Sequence, residues 1–180
     1  ASLQRRLLTA QFVEDMDWKD GVVGVGNVGS RVVRYATALG MRVLPNDPPR
    51  QRVESLPEFV SLDRVLAAAD IITLHVPLTR EGPDATWHLL DGARLGALPR
   101  RPVLLNTARG AVVDNVALLA ALRAGRVGAA VLDVWEGEPR LLPGLLDAAA
   151  LGTPHIAGYS FDGKVNGTRL IYEAACRHLG

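Results

Sequence analysis

Gly24-Val25-Gly26-Asn27-Val28-Gly29 stands between the apolar pair Val22-Val23 and the run Arg31 to Leu39, whose apolar residues recur on one side at helical spacing. The stretch reads as a turn joining a short strand to a helix. Lys19-Asp20 interrupts the apolar run almost at once, so this first strand is expected to be short. Gly40 stops the helix, and Arg42-Val43-Leu44 reads as the next strand. Each glycine has its own task in gripping a dinucleotide. Gly24 permits the tight turn, Gly26 lets backbone approach a pyrophosphate, and Gly29 lets the helix pack closely on the strand. The free N–H groups of Asn27, Val28 and their neighbours, at the positive end of the helix dipole, suit phosphates. Asp47 lies 18 positions after Gly29, where a carboxylate accepts from the adenosine ribose hydroxyls and repels a 2′-phosphate. That favours NAD over NADP.

Outward from this turn, the chain continues as alternating strands and helices. Pro45-Asn46-Asp47-Pro48-Pro49-Arg50 holds three prolines and reads as a loop. Ser61 is the expected N-cap of a helix whose apolar face is Leu62, Val65 and Leu66. Ile71 to Val76 reads as a strand ended by Pro77. Short helices are expected over Thr86 to Leu90 and Gly92 to Leu98. Val103 to Asn106 is a strand, Asn115 to Ala124 a helix ended by Gly125, and Ala129 to Val134 a strand. A last strand near Leu151 to Ile156 precedes a terminal helix over Asp162 to His178. At the other end, Ser2 to Val13 reads as a helix with Leu3, Leu7 and Leu8 on one side, followed by a polar linker from Glu14 to Asp20. Continuously apolar strands alternating with helices imply an α/β fold: a doubly wound parallel sheet covered on both faces. In such sheets ligands bind beyond the carboxyl ends of the strands.

The composition agrees with this class. The chain of 180 residues is 48% hydrophobic and 22% charged, enough for one domain with an ample core. A net charge of +1 with no basic run points away from nucleic acid. No stretch is long and apolar enough to span a membrane. Cys176 stands alone, which fits a reducing, cytoplasmic setting. No residue is assigned to a metal.

Three residues follow strand ends. Arg109 follows Asn106, Glu138 follows Val134, and His155 lies in Thr153-Pro154-His155. Oxidation of a 2-hydroxy acid needs these types. A histidine can take the hydroxyl proton near neutrality. A carboxylate beside it orients the ring and favours its charged form. An arginine can grip the substrate carboxylate with two parallel bonds.

Gly24–Gly29, Asn106 to Asp114, Asp133 to Pro139 and Thr153-Pro154-His155 together resemble the D-isomer-specific 2-hydroxyacid dehydrogenases, in order and spacing, across nearly the whole chain. The stretches 46–50, 112–115, 133–139 and 152–164 carry a narrower resemblance, to members acting on a phosphorylated 2-hydroxy acid. The resemblance implies a Rossmann fold and the cofactor NAD. It implies catalytic roles for Arg109, Glu138 and His155. Gly24, Gly26, Asn27, Val28, Gly29, Asp47, Val76, Asp133 and Gly158 would meet the cofactor, with Asp133 at the nicotinamide carboxamide. Arg109 and Tyr159 would meet the substrate, and Lys164 and Arg169 are electrostatic candidates for its phosphate. Val76 stands where the family often has threonine, so one side-chain hydrogen bond to the cofactor is lost there. Family members are roughly twice this length. The chain thus resembles the nucleotide half, with residues 1–17 and 162–180 as crossover helices toward a substrate-binding domain that is missing. It is expected to bind NAD with little turnover alone, and the full-length protein to be a homodimer. Two other readings stay open: a dehydrogenase of another small acid, of phosphoglycerate or glyoxylate/hydroxypyruvate type, and a non-catalytic NAD-sensing module.

Overall fold

Among the described residues, six parallel strands form one sheet in the order β2-β1-β3-β4-β5-β6. They are β1 (Lys19–Val23), β2 (Arg42–Asn46), β3 (Ile71–Leu74), β4 (Val103–Asn106), β5 (Ala129–Leu132) and β6 (Leu151–Gly152). Among the described residues the α-helices are α1 (Gly29–Ala38), α2 (Pro48–Glu54), α3 (Leu62–Ala68), α4 (Gly92–Gly96), α5 (Asn115–Arg123), α6 (Leu145–Ala148) and α7 (Phe161–Leu179). This computed structural model describes residues 17–54, 58–158 and 161–179. The expected helix over Ser2 to Val13 lies outside the described residues, as does Tyr159.

The core forms where the sequence is continuously apolar. Ile72, Leu74, Leu104 and Leu132 on the central strands are buried, with Val65, Leu90, Leu95, Leu118 and Leu145 packed around them. Val22, Val25 and Phe59 form a second, smaller cluster with Val32, Val33 and Val43. Ser61 caps α3 by accepting the Arg64 N–H at 3.2 Å, as its position before the apolar run predicts.

Register brings the strand ends into one row. Asn46 pairs with Val23, Val23 with Leu74, Leu74 with Asn106, Asn106 with Leu132, and Leu132 with Gly152. The residues that follow are therefore neighbours along one sheet edge: Asp47, Gly24, His75, Thr107, Asp133 and Thr153. The chain reverses its winding between β1 and β3, which is where a doubly wound sheet opens its ligand crevice.

Several elements depart from the sequence expectations. Lys19 and Asp20 belong to β1, so the first strand has five residues rather than two. Parallel pairing on both sides holds the strand, and Asp20 is buried in it. The proline-rich stretch is not a loop. Pro45 lies in β2, an edge strand, where a missing N–H is tolerated. Pro48 opens α2, where its N–H would lack a helical partner anyway. Asp47 caps that helix, its side chain accepting from Arg50 N at 3.0 Å and its carbonyl from Gln51 N at 2.8 Å. Thr86 to Leu90 is not helical. His88 has a φ of +48°, and Leu90 bridges to Val113. β3, β5 and β6 each end earlier than expected, at Leu74, Leu132 and Gly152, and the polar residues that follow them enter the site.

Candidate active site

The glycine turn rises from β1 between β2 and β3. Gly24 takes a φ of +87°, and a Cβ there would stand 2.8 Å from the His75 carbonyl oxygen and from Val76 Cγ1. Val76 thus walls the turn from the β3 side. A Cβ on Gly29 would fall 2.0 Å from the Gly24 carbonyl oxygen, so the first turn of α1 folds directly over the loop. Gly26 differs, since nothing lies within 4 Å of its would-be Cβ. Asn27 and Val28 are exposed at this tip. No side chain among the described residues caps the start of α1, and its first turn carries no acid. Bare backbone around Gly26 and an uncapped helix start suit a pyrophosphate. Ser30 Oγ steadies the loop by donating to the carbonyls of Val25 and Gly26, at 3.0 and 2.7 Å.

Asp47 ties the loop to α2. Its Oδ2 accepts the Val25 N–H at 2.8 Å while Oδ1 accepts that of Arg50. Arg50 returns to the Val25 carbonyl at 2.6 Å. Each Asp47 oxygen keeps acceptor capacity, since a carboxylate can take about four donors. The residues present therefore fit a dinucleotide with free ribose hydroxyls. Burial pushes the His75 pKa down, and its Nε2 lies 3.0 Å from the Thr73 hydroxyl.

Beyond β5, a second set of groups converges. Glu138 Oε2 lies 2.7 Å from His155 Nδ1, and Glu138 Oε1 accepts the Trp135 N–H at 2.6 Å. His155 takes a φ of +56°, unusual for a side chain with a Cβ. Asp133 holds the loop that carries it. Its Oδ1 accepts from Thr153 Oγ1 at 2.5 Å and from Ile156 N at 2.8 Å, and Oδ2 accepts from Ala157 N at 2.9 Å. Burial alone would raise its pKa, but these donors and the nearby His155 hold it below the usual value. One acceptor position on Oδ2 stays open for a carboxamide. Trp135 Nε1 donates to the Thr153 carbonyl at 3.0 Å, joining the two loops. Gly158 is exposed, with open space where its Cβ would be.

Arg109 stands on a tight turn after β4. Asn106 braces that turn, its Nδ2 donating to the Arg109 carbonyl at 3.0 Å and its Oδ1 accepting from Ala108 N at 3.1 Å. Gly110 packs so closely on the Trp135–Glu136 peptide that a Cβ would fall 2.0 Å from the Trp135 carbonyl carbon. The Arg109 turn therefore rests on the loop that bears Glu138. Arg109 is exposed, and its guanidinium donates to the Ala108 carbonyl at 2.6 Å, leaving most of its N–H groups for a ligand.

Residues 8–157 match the D-isomer specific 2-hydroxyacid dehydrogenase, NAD binding domain, family. The chain belongs to this family. As a 2-hydroxyacid dehydrogenase domain its cofactor is NAD, in accord with the open glycine turn and Asp47. It is 58% identical to the erythronate-4-phosphate dehydrogenase of Salinibacter ruber, over 89% of this chain and 42% of that protein. It is 51% identical to that of Pseudomonas savastanoi pv. phaseolicola, over 97% of this chain and 46% of that protein. The chain thus spans less than half the length of these relatives. The D-lactate dehydrogenase of Aquifex aeolicus, complexed with NAD and lactic acid, aligns with a TM-score of 0.72 at 30% identity, over 98% of this chain and 61% of that one.

Within this dehydrogenase domain, sequence reasoning missed four residues that build the site. Asn115, Glu136 and Thr153 sit inside or beside the motifs, so their proximity to Glu138 and His155 was a signal. His88 had none. Its Nε2 lies 2.7 Å from Glu136 Oε1, and its ring stacks on Trp87 with centroids 3.7 Å apart. Of the phosphate candidates, Arg169 pairs with Glu173 one turn along the exposed α7, and Lys164 lies on the same helix. No helix among the described residues is long and apolar enough to cross a membrane.

Proposed function

We propose that the protein is an NAD-dependent erythronate-4-phosphate dehydrogenase and that this chain is its cofactor-binding half. The reaction would be oxidation of 4-phospho-D-erythronate at carbon 2 to the 2-oxo acid, a step of pyridoxal phosphate biosynthesis. The observation that carries the reading is the 2.7 Å contact between His155 and Glu138, on loops beside the glycine turn. Bound NAD supplies the hydride acceptor. His155, with Nδ1 engaged by Glu138, takes the hydroxyl proton at Nε2. The Glu138 carboxylate stabilises the imidazolium that results. Arg109 holds the substrate carboxylate with its free N–H groups and polarises the forming carbonyl. Asp47 binds the adenosine ribose, Asp133 the carboxamide, and the backbone of Gly24 to Gly29 the pyrophosphate, with Val76 and Gly158 lying against the cofactor.

Similarity of 50–58% to erythronate-4-phosphate dehydrogenases supports this substrate over 3-phosphoglycerate or glyoxylate. Retention of Arg109, Glu138 and His155 together argues against a purely NAD-sensing module. Tyr159 would donate to the substrate, with Lys164 and Arg169 attracting its phosphate. The setting is cytoplasmic and the full-length protein a homodimer in this reading.

The test uses the intact gene product. Nicotinamide reduction is followed with 4-phosphoerythronate, 3-phosphoglycerate, glycerate and lactate, with His155→Ala as control. Selective turnover of 4-phosphoerythronate, abolished by that substitution, is expected. Preference for another acid overturns the substrate, and tight NADH binding with no turnover favours the sensing module. The 180-residue chain alone should bind NADH yet show little turnover, and a robust steady-state rate from it would overturn that expectation.

A further inference from the structure

His88 lies outside every motif, yet it touches both halves of the candidate site. Its backbone N–H donates to the Ala111 carbonyl at 2.8 Å, two residues beyond Arg109. Leu90 continues the pairing, donating to the Val112 carbonyl and accepting from Asp114 N, each at 3.1 Å. The ring points to the other loop, where Nε2 meets Glu136 Oε1, two residues before Glu138. Glu136 is locked in turn against Asn115. Its Oε2 accepts from Asn115 N at 3.2 Å, and its own N–H donates to Asn115 Oδ1 at 3.1 Å. Stacking on Trp87 fixes the plane of the ring, 14° from parallel.

We propose that His88 is a positioning residue that keeps the Arg109 turn and the Glu138 loop in register. This rests on the reading of His155 and Glu138 as the proton-transfer pair. Only Gly137 separates Glu136 from Glu138. A shift of Glu136 therefore reaches the carboxylate that orients His155. The backbone of His88 takes a left-handed φ of +48°, a conformation that disfavours residues with a Cβ. The surrounding hydrogen bonds hold it there.

A metal centre is the rival account, because His88, Asp114 and Glu136 place ligand atoms within 4.8 Å of one another. The geometry disfavours it. One ion takes only one nitrogen of an imidazole ring, so its other ligands must gather on that nitrogen's side. The two carboxylates face different ring nitrogens, Glu136 at Nε2 and Asp114 3.9 Å from Nδ1. Asp114 Oδ1 is committed to capping α5, accepting from Val116 N and Ala117 N. The ring acts as a strut between loops.

The experiment compares His88→Ala, His88→Gln and His155→Ala in the intact enzyme, with 4-phosphoerythronate as substrate. Alanine and glutamine carry the same left-handed backbone cost, so their difference isolates the hydrogen bond to Glu136. His88→Ala should lower kcat about 10- to 100-fold, the scale of a small misplacement of reacting groups, while the Kd for NADH stays within about twofold of wild type. His88→Gln should recover most of the rate, because its amide can donate to Glu136. Glu136→Ala removes the same contact from the other side and should lower kcat in the same sense, which serves where His88→Ala fails to fold. Loss of rate in His155→Ala with wild-type kcat in folded His88→Ala or Glu136→Ala overturns the strut and leaves the proton-transfer reading standing. Failure of glutamine to restore rate, or an equal loss of NADH affinity, also overturns it. Wild-type rate in His155→Ala removes the proton-transfer reading itself.

Discussion

His155 Nδ1 and Glu138 Oε2 lie 2.7 Å apart, and the other oxygen of the same carboxylate accepts the Trp135 N–H at 2.6 Å. Both ends of Glu138 are therefore assigned. This makes Glu138→Gln informative in the intact enzyme. The Trp135 N–H needs an acceptor, so the amide oxygen must stay there and the NH₂ must face His155. A donor opposite Nδ1 moves the ring proton to Nε2, the wrong tautomer for accepting a proton from substrate. We expect kcat to fall about 10²- to 10⁴-fold, the range for loss of general base function, with NADH affinity retained. A kcat within a factor of a few of wild type would show that Glu138 does not set the tautomer.

The glycine turn separates a folding role from a binding role. A methyl on Gly29 would stand 2.0 Å from the Gly24 carbonyl oxygen, whereas one on Gly26 would meet nothing within 4 Å. Gly29→Ala should cost about 1–3 kcal/mol or more of stability, as overpacking does. Gly26→Ala should leave the melting temperature unchanged or slightly raised, yet weaken NADH binding at least about tenfold, because the methyl occupies the space a pyrophosphate needs. Thermal melts beside NADH titration of the two variants separate these effects. Equal behaviour of both variants in both assays would refute the division.

Much of this architecture was legible in the sequence. Apolar runs such as Val103 to Asn106 and Ala129 to Leu132 became central strands, since a strand covered on both faces has no polar side to show. Register did the rest by aligning their carboxyl ends. The misreadings have physical causes. Pro45 and Pro48 look like breakers, but an edge strand and a first helical turn are the places where a missing N–H costs nothing. Asp20 looks like a strand end, because nothing in the sequence says that pairing on both flanks will carry a carboxylate into the interior. The pairing of His155 with Glu138 was legible because both sit in motifs. That of His88 with Glu136 spans 48 residues and exists only once the sheet has formed.

Asp133 should act on rate through the loop it organises. Three donors from Thr153, Ile156 and Ala157 converge on its carboxylate and flank His155. Asp133→Asn puts an NH₂ opposite at least one of those donors. We expect a loss of about 1.5–3 kcal/mol, the scale for hydrogen bonds to a charged acceptor, and a parallel fall in kcat. Denaturant unfolding and steady-state rates of the same preparation check both. Because the folded state holds this carboxyl below its ordinary value, its contribution is present above about pH 4 and is lost as pH falls through the lower, folded pKa.

Asp20 bends the stability curve the other way. It is 5% exposed in β1, and among the described residues its Oδ1 has no hydrogen-bond partner. Burial raises its pKa from 3.8 to about 6. Below pH 3.8 the group is protonated both folded and unfolded, and it costs nothing in charge. As pH rises, the unfolded chain ionises first while the folded chain keeps its proton, so stability falls until about pH 6 and is flat above. A shift of that size corresponds to about 3 kcal/mol at neutral pH, at 1.36 kcal/mol for each unit. Asp20→Val keeps a strand-favouring side chain and removes the charge. It should raise the melting temperature at pH 7.5 by about 6–12 °C, at 2–4 °C for each kcal/mol in a chain of this size. The gain should shrink as pH is lowered from 6 toward 4, because the wild-type penalty disappears there. A gain that is the same at pH 4 and pH 7.5 would assign the effect to packing and not to the buried charge, and no gain at pH 7.5 would show that Asp20 is solvated or paired in solution.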